Sequence, residues 1–300
     1  MTDPERIDEQ QWRDAGQYGQ HRGHRIFFRD STPADERPVL ILIHGFPTAS
    51  WDWAPLWPAL CERYRVIAPD MIGFGWSDKP RNYAYSIMDQ ADLHEGLLSD
   101  LGVRKALVLA HDYGDTVAQE LLARDLERRR AGQPGFEIQA LCLLNGGLFP
   151  ELHRARPIQK LLNSPLGGLV SMLSSERIFS RSFSAVFGPH TQPSSADLAS
   201  FWAMMLHQNG HRISHLLIRY IRDRRRHRAR WVGALQQAVQ PLRLINGLLD
   251  PVSGAHMVQR YRELVPNPDV VELPGVGHYP QVEAPQEVLE AALAFFDAQA

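Results

Sequence analysis

Residues 106–122 read ALVLAHDYGDTVAQELL. An apolar run ends in Ala110-His111-Asp112-Tyr113-Gly114-Asp115, and an amphipathic pattern follows at once. The run predicts a buried strand over 105–112. The i, i+3, i+4, i+7 apolar spacing over 115–130 predicts a helix, and its basic C-terminal end suits the helix dipole. A chain that passes so abruptly from strand to helix lifts the turn residue clear of the sheet. Turns used in this way to present a nucleophile commonly read Gly-x-Ser-x-Gly. Here Ala110 stands at the first glycine and Asp112 at the serine.

Outward from this turn, short apolar runs alternate with helical patterns. Strands are expected at 25–31, 38–45, 65–70, 138–147, 241–250 and 270–275. Helices are expected at 53–64, 86–101, near 255–265 and at 285–298. Such alternation predicts an α/β fold, a mostly parallel, doubly wound sheet covered on both faces. The residues from 147 to 235 are helical in pattern and lack strand signals, so they are expected to form an inserted helical lid. The core is then 1–146 with 236–300, and the lid covers the strand ends, where open sheets bind ligands.

The chain has 300 residues, 44% hydrophobic and 22% charged, with a formal net charge of −2. That balance gives no case for nucleic acid as a partner. Cys61 and Cys142 lie in apolar runs and are expected as buried core thiols rather than a disulfide or metal site. The polar start MTDPERIDEQQWRD is unlike a signal peptide, and no apolar run reaches membrane-spanning length. A cytoplasmic protein without a membrane span is expected. The residues give no size for an assembly, and a homodimer stays open.

Two further residues lie just past strand ends: Asp250 in INGLLDP and His278 in LPGVGHYP. The order Asp112, Asp250, His278 is that of nucleophile, acid and histidine in one of the three common triad orders. The loop after strand 38–45, His44-Gly45-Phe46-Pro47, is placed to offer a backbone N–H. With the N–H of Tyr113 it makes a candidate oxyanion hole at Phe46 and Tyr113. A carboxylate with a reference pKa near ~4 is already an anion at neutral pH and needs no base. It suits displacement at an activated saturated carbon, giving an alkyl ester on Asp112. His278, oriented by Asp250, is then free to activate the water that hydrolyses the ester.

HGFPTASWDW, APDMIGFGWSDKP, HDYGDTVAQELL, INGLLDP and GHYPQVEAP together resemble the epoxide hydrolase and haloalkane dehalogenase branch of the α/β-hydrolases. LLNGGLFPELHR, FSAVFGPHTQPS and RARWVGAL resemble one subgroup of it, the mesoderm-specific transcript proteins and their bacterial relatives. The resemblance implies the fold, the lid, the triad and a reaction without a cofactor or metal. Dehalogenases of the branch hold halide with side-chain N–H groups where this chain has Phe46 and Tyr113. Epoxide hydrolases commonly use two lid tyrosines. Tyr220 matches the second of these, and His190 stands at the other. An epoxide is therefore the expected small apolar substrate, with water as co-substrate. Haloalkane dehalogenation, with Trp202 as a halide contact, is the alternative; a triad-retaining lipid or signal binder and an esterase follow.

His44, Pro47, Trp51 and Trp202 are candidate pocket residues. Trp53, Trp57 and Trp76 fit the core at least as well. RDRRRHRAR (222–230) reads as a solvated helix face. His207, His211 and His215 recur every four residues, a spacing that suits a metal on a helix face, but no Cys or acid lies nearby, so a polar lid face is expected.

Overall fold

A computed structural model describes residues 7–31 and 37–299; the first six residues of the polar start lie outside the described residues. Eight strands form one sheet in the order β1-β2-β4-β3-β5-β6-β7-β8. They are β1 (Gln17–His21), β2 (His24–Asp30), β3 (Val39–Ile43), β4 (Arg65–Pro69), β5 (Lys105–His111), β6 (Glu137–Leu144), β7 (Leu242–Gly247) and β8 (Asp269–Leu273). Every pairing from β4 across to β8 is parallel, and β1 and β2 add an antiparallel edge. β1 was not expected from the sequence. Its residues, QYGQH, are polar and largely exposed, so no apolar period marks them. It is set by the two-residue turn Arg22-Gly23, both left-handed (φ 49° and 81°), the geometry that matches the twist of a tight hairpin.

Side chains alternate across the sheet with the strand period of two. Ile41 and Ile43 of β3 enter one apolar cluster, and Leu40 and Leu42 enter the other. α1 (Glu9–Asp14), α2 (Trp57–Cys61), α3 (Ile87–Asp100) and α4 (Tyr113–Ala131) flank these layers. The helix expected at 53–64 shrinks to α2, because Pro58 belongs to its first turn and a 3-10 turn at Ser50–Trp53 precedes it. Trp51, Trp53, Trp57 and Trp76 are all buried. Cys142 is buried, but Cys61 is only half-buried, and both thiols are free.

Between β6 and β7 the chain forms α5 (Pro157–Leu162), α6 (Gly167–Met172), α7 (Glu176–Ser184), α8 (Ser195–Leu206), α9 (Ser214–Leu217), α10 (Tyr220–Arg226) and α11 (Arg228–Gln237). After β7 come α12 (Ala255–Leu264), α13 (Pro280–Glu283) and α14 (Pro285–Phe296). The expected boundary at 235 falls inside α11, which packs along α4 and shares its apolar cluster. Trp231 is 2% exposed and donates from Nε1 to Glu120 of α4 at 2.8 Å. Arg230 pairs with Glu120 and Glu127. Arg222 binds Asn163, and Arg228 pairs with Glu151. The arginine run is therefore only partly a solvated face: Arg222, Arg225, Arg226 and Arg228 are exposed, but several of its side chains tie this segment to its neighbours. Among the described residues no helix is long and apolar enough to cross a membrane.

Because α11 belongs to the layer over the sheet, Trp231→Ala is expected to destabilise the whole chain by about 3–5 kcal/mol. Thermal or denaturant unfolding measures this. A change under about 1 kcal/mol, the scale of an ordinary surface substitution, would contradict the packing.

Candidate active site

The turn between β5 and α4 holds Asp112 at φ 47°, ψ −102°. A non-glycine residue in such a sparsely populated region costs on the order of 1–3 kcal/mol and persists only where its surroundings impose it. Two features impose it here. Asp112 N–H donates to Leu144 O of β6 at 3.1 Å, which fixes the end of the strand. Gly114 lets α4 begin directly above β3, for a Cβ there would lie 2.3 Å from Ile43 O.

Asp112 is 3% exposed. Phe46 N–H donates to its Oδ2 at 3.2 Å. Tyr113 is the first residue of α4, so its N–H is one of the helix's unpaired terminal donors. His278 Nε2 faces Asp112 Oδ2 at 3.9 Å, longer than a direct hydrogen bond. On its other side, His278 Nδ1 lies 2.7 Å from Asp250 Oδ2. Asp250 is held in turn by Ser253 Oγ at 2.7 Å, Asn145 Nδ2 at 3.0 Å and Val252 N–H at 2.7 Å. The structure thus brings Asp112, His278, Asp250 and the Phe46 N–H into one place.

Burial raises the pKa of Asp112, but the charge of His278, 3.9 Å away, with that of Arg224, outweighs it and leaves the carboxyl well below its usual range. Burial also opposes charge on His278; the carboxylates of Asp250 and Asp112 overcome this and raise its pKa. Asp250 is lowered against burial by His278 and Asn145. The two carboxylates and the ring thus favour one another's charged forms.

Two residues escaped the sequence reading. Arg224 is 2% exposed, donates from Nη2 to Asp112 O at 2.8 Å and from Nε to Thr116 Oγ1 at 2.7 Å, and lies 3.4 Å from Asp112 Oδ1. Inside a run of arginines its sequence context looks like surface. The signal available was Gly147, where a Cβ would sit 2.2 Å from Arg224 Nη1. Asn145, left-handed at φ 46°, links the ends of β6 and β7 by accepting from Gly247 N–H at 2.7 Å. Its signal was a polar residue closing an otherwise apolar strand.

A cavity of about 110 Å³ opens beside His278. Phe46, Pro47, Ile158, Phe179, Phe183, Trp202 and Val252 are among its mostly apolar walls. Pro47 and Trp202 thus line it, whereas His44 and Trp51 do not. His44 Nε2 accepts from Met71 N–H at 3.0 Å and is buried, and Trp51 Nε1 donates to Ile7 O. Tyr220 is 2% exposed; its ring lies against Tyr113 (4.8 Å) and Phe46 (6.0 Å), and among the described residues its hydroxyl has no hydrogen-bond partner. Burial and then the Asp112 charge raise its pKa. His190 is exposed and lies outside the cavity wall, because the 188–191 turn faces Glu283 through Gly188 N–H and Thr191 Oγ1. His207, His211 and His215 do not share a helix face. Left-handed Gln208 and Asn209 break the chain there, and the three rings meet Trp76, Trp202 and Ser171 respectively.

Comparison with known proteins gives the family and the fold. A model described as the alpha/beta hydrolase family matches residues 40–291. The mesoderm-specific transcript homolog protein of Homo sapiens is 42% identical over 294 residues, covering 95% of this chain and 87% of the relative. The LipZ protein of Mycobacterium tuberculosis is 41% identical, covering 98% of this chain and 99% of the relative. A solved haloalkane dehalogenase variant from Bradyrhizobium elkanii superposes with a TM-score of 0.79 at 20% identity, covering 94% of this chain and 96% of its own. With a family match over most of its length and two relatives aligned along nearly the whole of it, this chain belongs to the alpha/beta hydrolase family.

Proposed function

We propose that this hydrolase opens epoxides to diols without a cofactor, through a covalent ester on Asp112. The observation that carries the reading is a buried carboxyl, Asp112, at the strand–helix turn where a serine would need a base. Asp112 attacks a ring carbon, the C–O bond breaks, and an alkyl ester and an alkoxide result. The alkoxide takes a proton from a nearby donor. Tyr220 is that donor in this reading, supported by its buried hydroxyl without a partner beside Asp112. The helices between β6 and β7 act as the lid. α5, α7 and α8 supply the apolar wall through Ile158, Phe179 and Trp202, which suits a small apolar substrate.

The second step follows from charge. Esterification removes the negative charge of Asp112, one of the two carboxylates that hold the proton on His278. The imidazole pKa therefore falls in the ester. His278 gives up its proton, which restores the Tyr220 phenol, and becomes the base that takes a proton from the attacking water, while Asp250 keeps the ring oriented. The Phe46 and Tyr113 N–H groups stabilise the oxyanion formed when water attacks the ester carbonyl. The product diol leaves, and Asp112 is an anion again. The enzyme acts from the cytoplasm in this reading. Trp202 in the cavity wall favours one alternative, halide release, with the indole as a contact for the departing anion.

Turnover in heavy-oxygen water is expected to place label in Asp112. Asp112→Ala should abolish turnover, and His278→Gln should stall the reaction as an adduct of substrate mass, seen by intact mass spectrometry. Normal turnover by either variant would refute the mechanism, and an unlabelled Asp112 in the wild type would point to a binder or esterase.

The pH dependence should differ between the two steps. Ester hydrolysis needs neutral His278, so its single-turnover rate should rise with pH through the imidazole pKa of the ester form. That pKa lies below the one in the free enzyme. Ester formation, which needs ionised Asp112 and the protonated hydroxyl of Tyr220, whose pKa burial raises, should stay flat over the same range.

Tyr220→Phe keeps the ring and removes the donor. It should lower kcat for an epoxide by at least about tenfold, and by up to the roughly 10²–10⁴-fold that one positioned proton donor contributes, with little change in thermal midpoint. Unchanged epoxide turnover would make Tyr220 a packing residue. Halide release without epoxide opening in the wild type would favour the dehalogenase and make Trp202 the residue to test.

A further inference from the structure

Helices α5 to α7 leave an apolar surface uncovered. Leu161, Leu166, Leu169, Met172, Leu173 and Ile178 are each 48–67% exposed. Ten large hydrophobic residues are exposed among the described residues, and these six fall within 161–178. Single exposed apolar residues need no explanation, but a cluster marks an interaction surface. The cluster is continuous with the cavity, since Ile178 belongs to both and α5 and α7 also supply the wall.

Charge identifies what covers it. Residues 161–175 carry no charge. They are flanked by Arg154, Arg156 and Lys160 on one side and Arg177 and Arg181 on the other, against the single acid Glu176. Among the described residues none of these five cations is paired with a carboxylate. The whole chain is net −2, so the basic character is local.

We propose that this face docks on an anionic lipid bilayer. Its leucines and Met172 enter the acyl boundary, and the flanking Arg and Lys side chains meet headgroup phosphates. A second copy of the chain fits less well. A two-fold contact would bring two copies of the same basic patch into one interface with only one acid each, Glu176, to compensate them, whereas an anionic surface covers the apolar side chains and compensates the cations together. Docked in this way, the cavity mouth faces the bilayer, and an apolar substrate dissolved there reaches His278 without crossing water. That last step rests on the proposed reaction; the docking does not.

The test is co-sedimentation of the full chain with vesicles of phosphatidylcholine, alone or mixed with phosphatidylglycerol. The wild type is expected to bind the mixed vesicles, and less as salt rises. Leu169→Asp with Leu173→Asp should weaken binding at least about tenfold. Arg177→Gln with Arg181→Gln should weaken it about tenfold or more on the anionic vesicles alone, at roughly fivefold per basic residue. All four positions are exposed, so thermal midpoints should not move. Wild-type protein that stays in solution with both vesicles would overturn the proposal. So would undiminished binding by the Leu169→Asp, Leu173→Asp variant, or a soluble dimer which that variant converts to monomer. Vesicle binding together with an unlabelled Asp112 would leave the docking standing and remove the reaction.

Discussion

Burying an ionised carboxylate costs several kcal/mol unless hydrogen bonds and opposite charge compensate it. Asp112 is 3% exposed and ionised, and its compensation comes from distant parts of the chain. The loop after β3 supplies the Phe46 N–H. The loop after β8 supplies His278. The segment between β6 and β7 supplies Arg224, which also satisfies the carbonyl of the strained turn. Parallel strands make this convergence possible, because their C-terminal ends, and the loops that follow them, emerge on one edge of the sheet.

The same compensation couples the two halves of the proposed reaction. His278 lies between two carboxylates, and its proton is held by both. Removing one charge by esterification loosens that proton at the step that needs a base. Asp250 does not lose its grip, because Ser253, Asn145 and Val252 fix it independently of Asp112.

The segment between β6 and β7 divides by what its residues touch. α10 and α11 turn inward: Tyr220, Arg224 and Trp231 are all buried against the core. α5 and α7 line the cavity, and the stretch from α5 to α7 exposes leucines, Met172 and Ile178. A segment anchored at one end by buried charge and exposed at the other is suited both to hold a nucleophile and to meet a surface.

The sequence by itself determined the central parallel strands, because apolar runs bounded by turns leave few alternatives. It also determined the places of Asp112, Asp250 and His278, since each follows a strand whose end is marked by loss of apolar period. It could not show β1, whose polar edge has no period and is set by a two-residue turn. It put the end of the inserted segment inside α11, because one helical pattern resembles another until its packing partner is known. Only the tertiary structure decided the remaining assignments. Arg224 and Arg222 share one stretch and one chemistry, yet Arg224 is buried against Asp112 and Arg222 is exposed against Asn163. Tyr220 was brought against Tyr113 and Arg224 and His190 left at the surface for the same reason. Local sequence fixes which side chain is present, but burial and partner are set by residues more than a hundred positions away, as Asp112 and Arg224 are.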